Sequence, residues 1–335
     1  MIKEANLLNI MYSCNENYAM QAGVSIISLL ENNKDFQQIN IFFIEDNLNA
    51  ETIKILKNIV DNYNRNIYFY KFNEVCKIDF PNDRISRHPY TIYAKLFLSF
   101  LTEIDKILYL DCDIIINSSL NELWSSDFSK DLIAGVAMPY SEDIKNKVKM
   151  GQNDLYICDG IVLINLDNWR KYNIEESCIE FIKNNKYNPP MLSEGTINFV
   201  CRGKIKILHP RYNLMPFMIL LNSPKIKQLF SLSNYYTTSE IDEARNSPVF
   251  IHYLNEFYNR PWNKKSDHPY KNKFLEYYMM SPWRSDDLYN YDISFKTKIT
   301  KFCLKRLPFR FILIIRKIVY FILKIKKNLK SLYKA

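Results

Sequence analysis

The segment "KILYLDCDIII" (residues 106–116) decides how the rest of the chain is interpreted. Two aspartates, Asp111 and Asp113, interrupt an otherwise apolar run, although buried strands rarely carry acids. We predict one strand over 106–116, and side chains two residues apart along a strand point to the same side. Like charges this close repel unless a cation lies between them, and carboxylate oxygens suit Mg²⁺ or Mn²⁺. The alternative is a pair of solvated loop acids, which the flanking apolar residues disfavour.

Strands and amphipathic helices alternate along the first third of the chain. The apolar spacing predicts strands at 7–14, 39–46, 66–72 and 106–116, and helices at 19–33, 50–64 and 91–101. This alternation predicts the α/β class, with a largely parallel sheet covered on both faces and ligands beyond the carboxyl ends of the strands. The chain has only six glycines and neither a G-x-G-x-x-G nor a P-loop motif, which argues against a dinucleotide dehydrogenase or a P-loop NTPase.

The net charge of +9 is concentrated at the C-terminal end. Residues 296–335 contain 13 Lys or Arg and no acid, which leaves 32 basic against 36 acidic residues elsewhere. Residues 1–295 are therefore not basic overall, and we expect no nucleic-acid partner. The tail's apolar runs are split by Arg316 and Lys317, so it is too interrupted to span a bilayer. It is typical of a helix lying on an anionic membrane surface; the alternative is a helix docked on the protein's own core.

The cysteines and the N-terminal residues bear on location. Seven irregularly spaced cysteines predict reduced thiols rather than a disulfide framework or a zinc site. The first residues lack the apolar stretch of a secretion signal. We therefore expect a cytoplasmic protein, peripherally associated with the inner face of the cell membrane.

Five segments resemble family 8 glycosyltransferases in sequence and in order, from about Leu7 to Trp283. They are "YSCNENYAMQAGVSIISLLENN", "TIYAKLFLSFLTEIDKILYLDCDIIINSSLNELW", "YICDGIVLINLDNWRKYNI", "GKIKILHPRYNLM" and "FIHYLNEFYNRPWNKKSDHPY", followed by "SPW". That family includes bacterial lipopolysaccharide and lipooligosaccharide galactosyl- and glucosyltransferases, and glycogenin is a relative. The resemblance implies a GT-A fold with one Rossmann-like nucleotide-sugar domain, a UDP-sugar donor, Mn²⁺ or Mg²⁺, and retention of anomeric configuration.

The resemblance also assigns the residues that hold metal and nucleotide. The implied metal ligands are Asp111, Asp113 and His252. The implied nucleotide contacts are Ser13, Asn15, Asn17, Tyr18 and Cys112, the last through its backbone alone. Arg260 stands near a family lysine that contacts the diphosphate, with Lys264 and Lys265 as further candidates.

Three further residues are implied as catalytic. Lys95 stands where the family usually has a donor-binding Arg, Asp159 precedes Gly160 at a sugar-contacting segment, and Glu194 follows Ser193 where the family has D-Q. The departures from the family pattern are Asn15, Lys95, Cys158 and Ser193.

The resulting hypothesis is a metal-dependent retaining hexosyltransferase. It would move galactose or glucose from a UDP-sugar to a saccharide or lipid-linked acceptor in surface polysaccharide or lipopolysaccharide synthesis. Front-face attack is favoured over a covalent carboxylate intermediate, because no acid is an obvious nucleophile. The alternative, motivated by the four departures, is a non-catalytic sugar-nucleotide or glycan-binding protein. We predict a catalytic domain at 1–265, an aromatic-rich extension at 266–295 and a membrane-associating tail at 296–335.

Overall fold

The computed structural model describes residues 7–81, 89–292 and 295–314. Its strands are β1 (Leu7–Asn15), β2 (Gln38–Asp46), β3 (Asn66–Lys71), β4 (Lys106–Leu110), β5 (Ile114–Ile116), β6 (Ile133–Gly135), β7 (Ile161–Asn165), β8 (Ile205–Ile207) and β9 (Phe250–His252).

The helices of the described residues cover the sheet and extend beyond it. They are α1 (Ala19–Asn32), α2 (Ala50–Asp61), α3 (Phe72–Val75), α4 (Asn121–Trp124), α5 (Glu142–Lys147), α6 (Leu166–Lys171), α7 (Ile174–Asn184), α8 (Leu192–Val200), α9 (Pro216–Leu220), α10 (Ser223–Phe230), α11 (Thr238–Asn246), α12 (Lys271–Tyr278) and α13 (Phe295–Arg306). Short 3-10 helices lie at Glu16–Tyr18, Tyr90–Leu96 and Pro210–Tyr212.

A seven-stranded sheet in the order β3-β2-β1-β4-β7-β6-β8 forms the centre. β1 to β4 pair in parallel, β7 is antiparallel to β4 and β6, and β6 is parallel to β8. Successive residues of β1 enter different cores: Ile10 lies in the cluster shared with α1, and Met11 in the cluster shared with α7. This architecture confirms the predicted α/β class and the GT-A fold, with a mostly parallel sheet buried on both faces.

The first strands and helices form where the apolar spacing predicts them. β1, β2 and β3 and helices α1 and α2 lie within a few residues of the predicted ranges. Asn49 fixes the start of α2, because its side-chain oxygen accepts a hydrogen bond from the Thr52 amide at 2.8 Å.

The prediction of one strand over 106–116 is wrong. β4 ends at Leu110 in the main sheet, and β5 begins at Ile114 in a separate antiparallel pair with β9. The Asp111 amide donates to the Gly160 carbonyl at 2.8 Å, and the Asp113 carbonyl accepts from the Tyr253 amide at 2.9 Å. The two acids therefore lie in a connection at the carboxyl end of β4.

The predicted helix over 91–101 is also wrong, since the chain forms the 3-10 helix Tyr90–Leu96 and then turns. One carboxylate oxygen of Glu175 accepts the amides of Leu98 and Ser99 at 2.6 and 2.7 Å. Those amides are therefore withdrawn from helical hydrogen bonding.

The C-terminal segments pack on the same core. Phe274 of α12 is buried in the cluster shared with α1, and the Trp283 ring lies so close to Gly23 that an added Cβ would be 2.3 Å away. Among the described residues, no helix has the length and apolar content needed to cross a membrane. Residues 315–335 of the predicted tail lie outside the described residues, and the boundaries at 265 and 295 stay predictions.

Candidate active site

Two carboxylates and one imidazole converge at the carboxyl end of β4. Asp111, Asp113 and His252 each offer a ligand atom, and these atoms lie within 4.8 Å of one another. The pairing of β5 with β9 sets Ile114 opposite His252, which delivers a histidine 139 positions from Asp113 to the same point. Carboxylate oxygens and an imidazole nitrogen are a donor set suited to Mn²⁺ or a similar dication.

His252 is fully buried and oriented for ligation. Its Nδ1 lies 3.0 Å from the side-chain oxygen of buried Asn213, so in the neutral ring this oxygen favours the tautomer with the proton on Nδ1 and the lone pair on Nε2. Nε2 lies 3.2 Å from Oδ1 of Asp113, yet among the described residues no group is aligned to hydrogen-bond it. A buried acceptor without a partner is costly, and a bound cation would satisfy it.

Gly160 leaves the space in which these side chains meet. A Cβ added there would lie 2.5 Å from Cε1 of His252 and 2.8 Å from Oδ2 of Asp111. Both distances are shorter than real Cβ contacts. The backbone of the "CDG" segment therefore approaches the cluster as closely as only a glycine permits.

Lys95 is the cation that offsets the charge of Asp111. It is 2% exposed, and its Nζ lies 3.5 Å from Oδ1 of Asp111 and 3.0 Å from Oδ2 of Asp159. It also donates to the Asp159 carbonyl at 2.8 Å. Burial raises the pKa of Asp111, and Lys95 offsets only part of that effect. Lys95 thus offsets part of the negative charge of Asp111 and Asp159, and its hydrogen-bond donors are occupied.

Arg260 is the cation that offsets the charge of Asp113. Its guanidinium lies 3.3 Å from Oδ2 of Asp113 and donates to the Tyr18 hydroxyl. Burial raises the pKa of Asp113, but His252, when its ring is protonated, and the Arg260 guanidinium outweigh burial and hold this pKa below its ordinary value. Lys264 and Lys265 instead pair with Asp287 and Asp292, so the structure brings only the arginine of these three candidates to the cluster.

A second acidic pair lies behind Lys95. Asp159 accepts a 2.7 Å hydrogen bond from Ser193, and Glu194 accepts one from the Tyr156 hydroxyl at 3.2 Å. Burial, followed by the nearby Asp159 charge, raises the pKa of Glu194 to about 8. At neutral pH Glu194 therefore holds a proton while Asp159 is paired with Lys95.

The end of β1 and the 3-10 helix Glu16–Tyr18, where the sequence predicted a loop, lie beside the cluster. The Ser13 hydroxyl lies 3.0 Å from the Tyr109 hydroxyl, which in turn donates to Asp111 at 2.9 Å. Asn15 caps the short 3-10 helix by accepting the Asn17 amide at 3.2 Å, and both asparagines are exposed or half-buried. The buried Cys112 thiol points to the Ser13 carbonyl at 3.5 Å, so its side chain faces β1 rather than the Asp111–Asp113–His252 cluster.

Comparison with known proteins decides the family. The sequence matches glycosyl transferase family 8 over residues 9–266. The chain belongs to this family.

Relatives and solved structures agree with the family 8 assignment. A Haemophilus influenzae relative is 32% identical over 218 residues, covering 62% of this chain and 64% of that protein, so the chain spans less than two thirds of its length. The lipopolysaccharide 1,2-glucosyltransferase of Escherichia coli is 29% identical over 297 residues, which cover 85% of this chain and 81% of that protein. The galactosyltransferase LgtC, solved with donor and acceptor sugar analogues, has the same fold. Its TM-score is 0.67 at 22% sequence identity, and the match covers 83% of this chain and 99% of LgtC.

A cavity opens beside the acidic pair of this family 8 protein. Its volume is about 640 Å³, and Tyr140 and Tyr156, both in its wall, also contact Glu194. The rest of the wall is rich in hydroxyl and amide groups, including those of Gln152, Asn153 and Tyr235. Such a wall suits a polar ligand with aromatic faces for stacking.

Sequence reasoning missed two residues that hold this family 8 site together. Tyr109 stands two positions before Asp111. Because side chains two residues apart along a strand point to the same side, this spacing could have placed the Tyr109 hydroxyl beside the acid. Asn213 lay inside the quoted segment "GKIKILHPRYNLM" without a role. Its hydrogen bond to His252 depends on the tertiary fold, and no local sequence pattern predicts it.

Proposed function

We propose that this protein is a metal-dependent, retaining hexosyltransferase that uses a UDP-sugar, most simply UDP-glucose or UDP-galactose. The observation that carries the proposal is the Asp111–Asp113–His252 cluster on a family 8 scaffold. Three carboxylates, those of Asp111, Asp113 and Asp159, face two cations, Lys95 and Arg260, so the centre carries an excess of negative charge that favours a dication.

Asp111, Asp113 and His252 would hold Mn²⁺ or Mg²⁺. When bound, the ion would act as a Lewis acid that neutralises charge on the donor diphosphate. Arg260 would add a second positive contact for the departing nucleotide, and Tyr18 orients its guanidinium. The half-buried Asn15 and the exposed Asn17 would bind the base and ribose, together with the backbone of Ser13 and Cys112.

Glu194 and Asp159 support front-face attack rather than a covalent intermediate. Protonated Glu194 is a poor nucleophile, and Oδ2 of Asp159 is bound by both Lys95 and Ser193. We assign to these two groups hydrogen bonds with donor-sugar hydroxyls. The acceptor hydroxyl would then enter beside the departing phosphate.

The cavity of about 640 Å³ would receive the acceptor, because its wall reaches Glu194 through Tyr140 and Tyr156. The relatives named as lipopolysaccharide glucosyl- and galactosyltransferases support a saccharide or lipid-linked saccharide acceptor in surface polysaccharide synthesis. A lipid-linked acceptor would also account for the basic segment 296–335. We propose that this segment holds a cytoplasmic enzyme against the anionic inner leaflet of the membrane.

Hydrolysis of the donor tests the proposal without knowledge of the acceptor. The protein is incubated with UDP-glucose, UDP-galactose, UDP-N-acetylglucosamine or a GDP-sugar, with Mn²⁺ or with EDTA, and UDP or GDP release is measured. We expect slow UDP release from one UDP-hexose that EDTA abolishes. Binding of a UDP-sugar without any release would favour the non-catalytic sugar-nucleotide-binding alternative.

A further inference from the structure

Helix α13 is docked on the body in a fixed rotational position. Lys301 forms an ion pair with Asp267, and its Nζ lies 3.9 Å above the Tyr258 ring. Leu304 is 8% exposed and belongs to the main core cluster. Lys301 and Leu304 define the inward side of the helix, so the residues on its other side face outward.

The outward side carries large apolar side chains that the described part of the protein leaves uncovered. Phe295, Ile299 and Phe302 are 77%, 46% and 63% exposed, and their spacing of four and three residues places them on one helical face. The exposed apolar positions continue past the helix to Leu307, Phe311 and Ile314. A stripe of this kind beside cationic residues is the pattern of a helix that lies in a membrane interface.

A basic cavity lies against the same helix. Its volume is about 510 Å³, and its charged wall residues are Lys265, Lys298, Lys301, Lys305 and Arg306 with Asp267 and Asp292. Phe302 belongs both to this wall and to the apolar stripe. The cavity and the stripe therefore form one continuous surface.

The cations of this cavity outnumber their partners. Lys265 and Lys298 both form ion pairs with Asp292, at 3.2 and 3.5 Å, and Lys301 forms an ion pair with Asp267. Within residues 7–81, 89–292 and 295–314, no carboxylate lies within ion-pair distance of Lys305 or Arg306. Burial, with further repulsion from Lys305, lowers the pKa of Lys301. An anion in the cavity would relieve this repulsion.

We propose that the cavity between α13 and residues 259–267 binds the phosphate headgroup of an anionic membrane lipid, while Phe295, Ile299 and Phe302 enter the interface beside it. The occupant is a lipid because the cationic wall and the apolar stripe meet at Phe302, and a phosphate and its acyl chains meet in the same way. This inference rests on the proposed membrane association and gives it a specific site within the folded region.

The test compares two double variants of equal charge in the 335-residue chain. Lys305→Gln/Arg306→Gln removes two cations from the cavity, and Lys326→Gln/Lys327→Gln removes two from the tail. Co-sedimentation is measured with phosphatidylcholine vesicles containing about one third phosphatidylglycerol. Two cations at an anionic surface account for about 30-fold in vesicle affinity, so the tail variant loses no more than about that factor. If the cavity is a headgroup site, the cavity variant loses clearly more than the tail variant. UDP release by both variants stays at the wild-type rate.

The outcomes separate the site from the membrane proposal. Equal losses in both variants would show general attraction to the surface and overturn the cavity, while absence of wild-type binding to vesicles would overturn membrane association itself. Thermal stabilisation by inorganic phosphate alone, without vesicle binding, would show a soluble anion and contradict the lipid. As a second variant, Phe302→Ser should weaken binding about tenfold without lowering the melting temperature, since Phe302 is 63% exposed. Unchanged binding would contradict insertion of the stripe.

Discussion

Replacement of Gly160 by alanine tests the geometry of the centre with a single methyl group. The added Cβ would lie 2.5 Å from Cε1 of His252 and 2.8 Å from Oδ2 of Asp111, whereas ordinary contacts begin at 3.4 Å. The side chains of His252 and Asp111, or the backbone of residue 160, must therefore shift by about 0.6 to 0.9 Å. A misplacement of about 1 Å commonly costs on the order of 100-fold in rate. We expect UDP release by Gly160→Ala to fall by about that factor.

The assay is UDP-hexose hydrolysis over a range of Mn²⁺ concentrations, because displaced ligands should also raise the Mn²⁺ concentration needed for half-maximal rate. Overpacking of this kind costs about 1–3 kcal/mol, so thermal unfolding must show that the variant remains folded. Gly151→Ala is the matched control, since its Cβ would meet only Oδ2 of Asp154 at an ordinary 3.6 Å. Wild-type turnover and wild-type Mn²⁺ dependence in Gly160→Ala would show that the centre does not need this close approach.

Other substitutions test the residues around the cluster. Asn213→Ala removes the acceptor of His252 Nδ1 and should weaken Mn²⁺ affinity 10- to 100-fold in the same titration. An unchanged titration would show that Asn213 does not orient His252. Lys95→Met leaves Asp111 and Asp159 without their buried cation and should lower the free energy of unfolding by about 3–5 kcal/mol in urea. Because the pKa of Glu194 is raised to about 8, folded wild type keeps a proton that the unfolded chain releases, and its stability falls as pH rises towards 8. Glu194→Gln lacks this loss, so its melting temperature relative to wild type should climb between pH 5 and 8; a constant difference would contradict the assignment.

Local patterns predicted the part of the fold that depends on local forces. β1, β2 and β3, with α1 and α2, follow from apolar periodicity. The spacing of Asp111 and Asp113, together with the apolar residues that flank them, favoured a cation site over a pair of solvated loop acids, and this cation site stays a prediction.

The errors arose where distant residues override local preference. Glu175 withdraws the amides of Leu98 and Ser99 and ends a segment whose spacing is helical. The strand 106–116 breaks because β5 pairs with β9, more than 130 positions away, rather than continuing in the main sheet. That same pairing brings in His252, whose place in the site came from family resemblance and not from its own surroundings.

The proposed metal site can be tested directly in a crystal of the 335-residue chain soaked with MnCl₂ and UDP, with anomalous diffraction recorded at the manganese edge. We expect one strong peak about 2.1 Å from oxygens of Asp111 and Asp113 and from Nε2 of His252, bridged to the diphosphate. A peak at other residues, or ordered UDP with no manganese between it and these three side chains, would contradict a dication at this cluster.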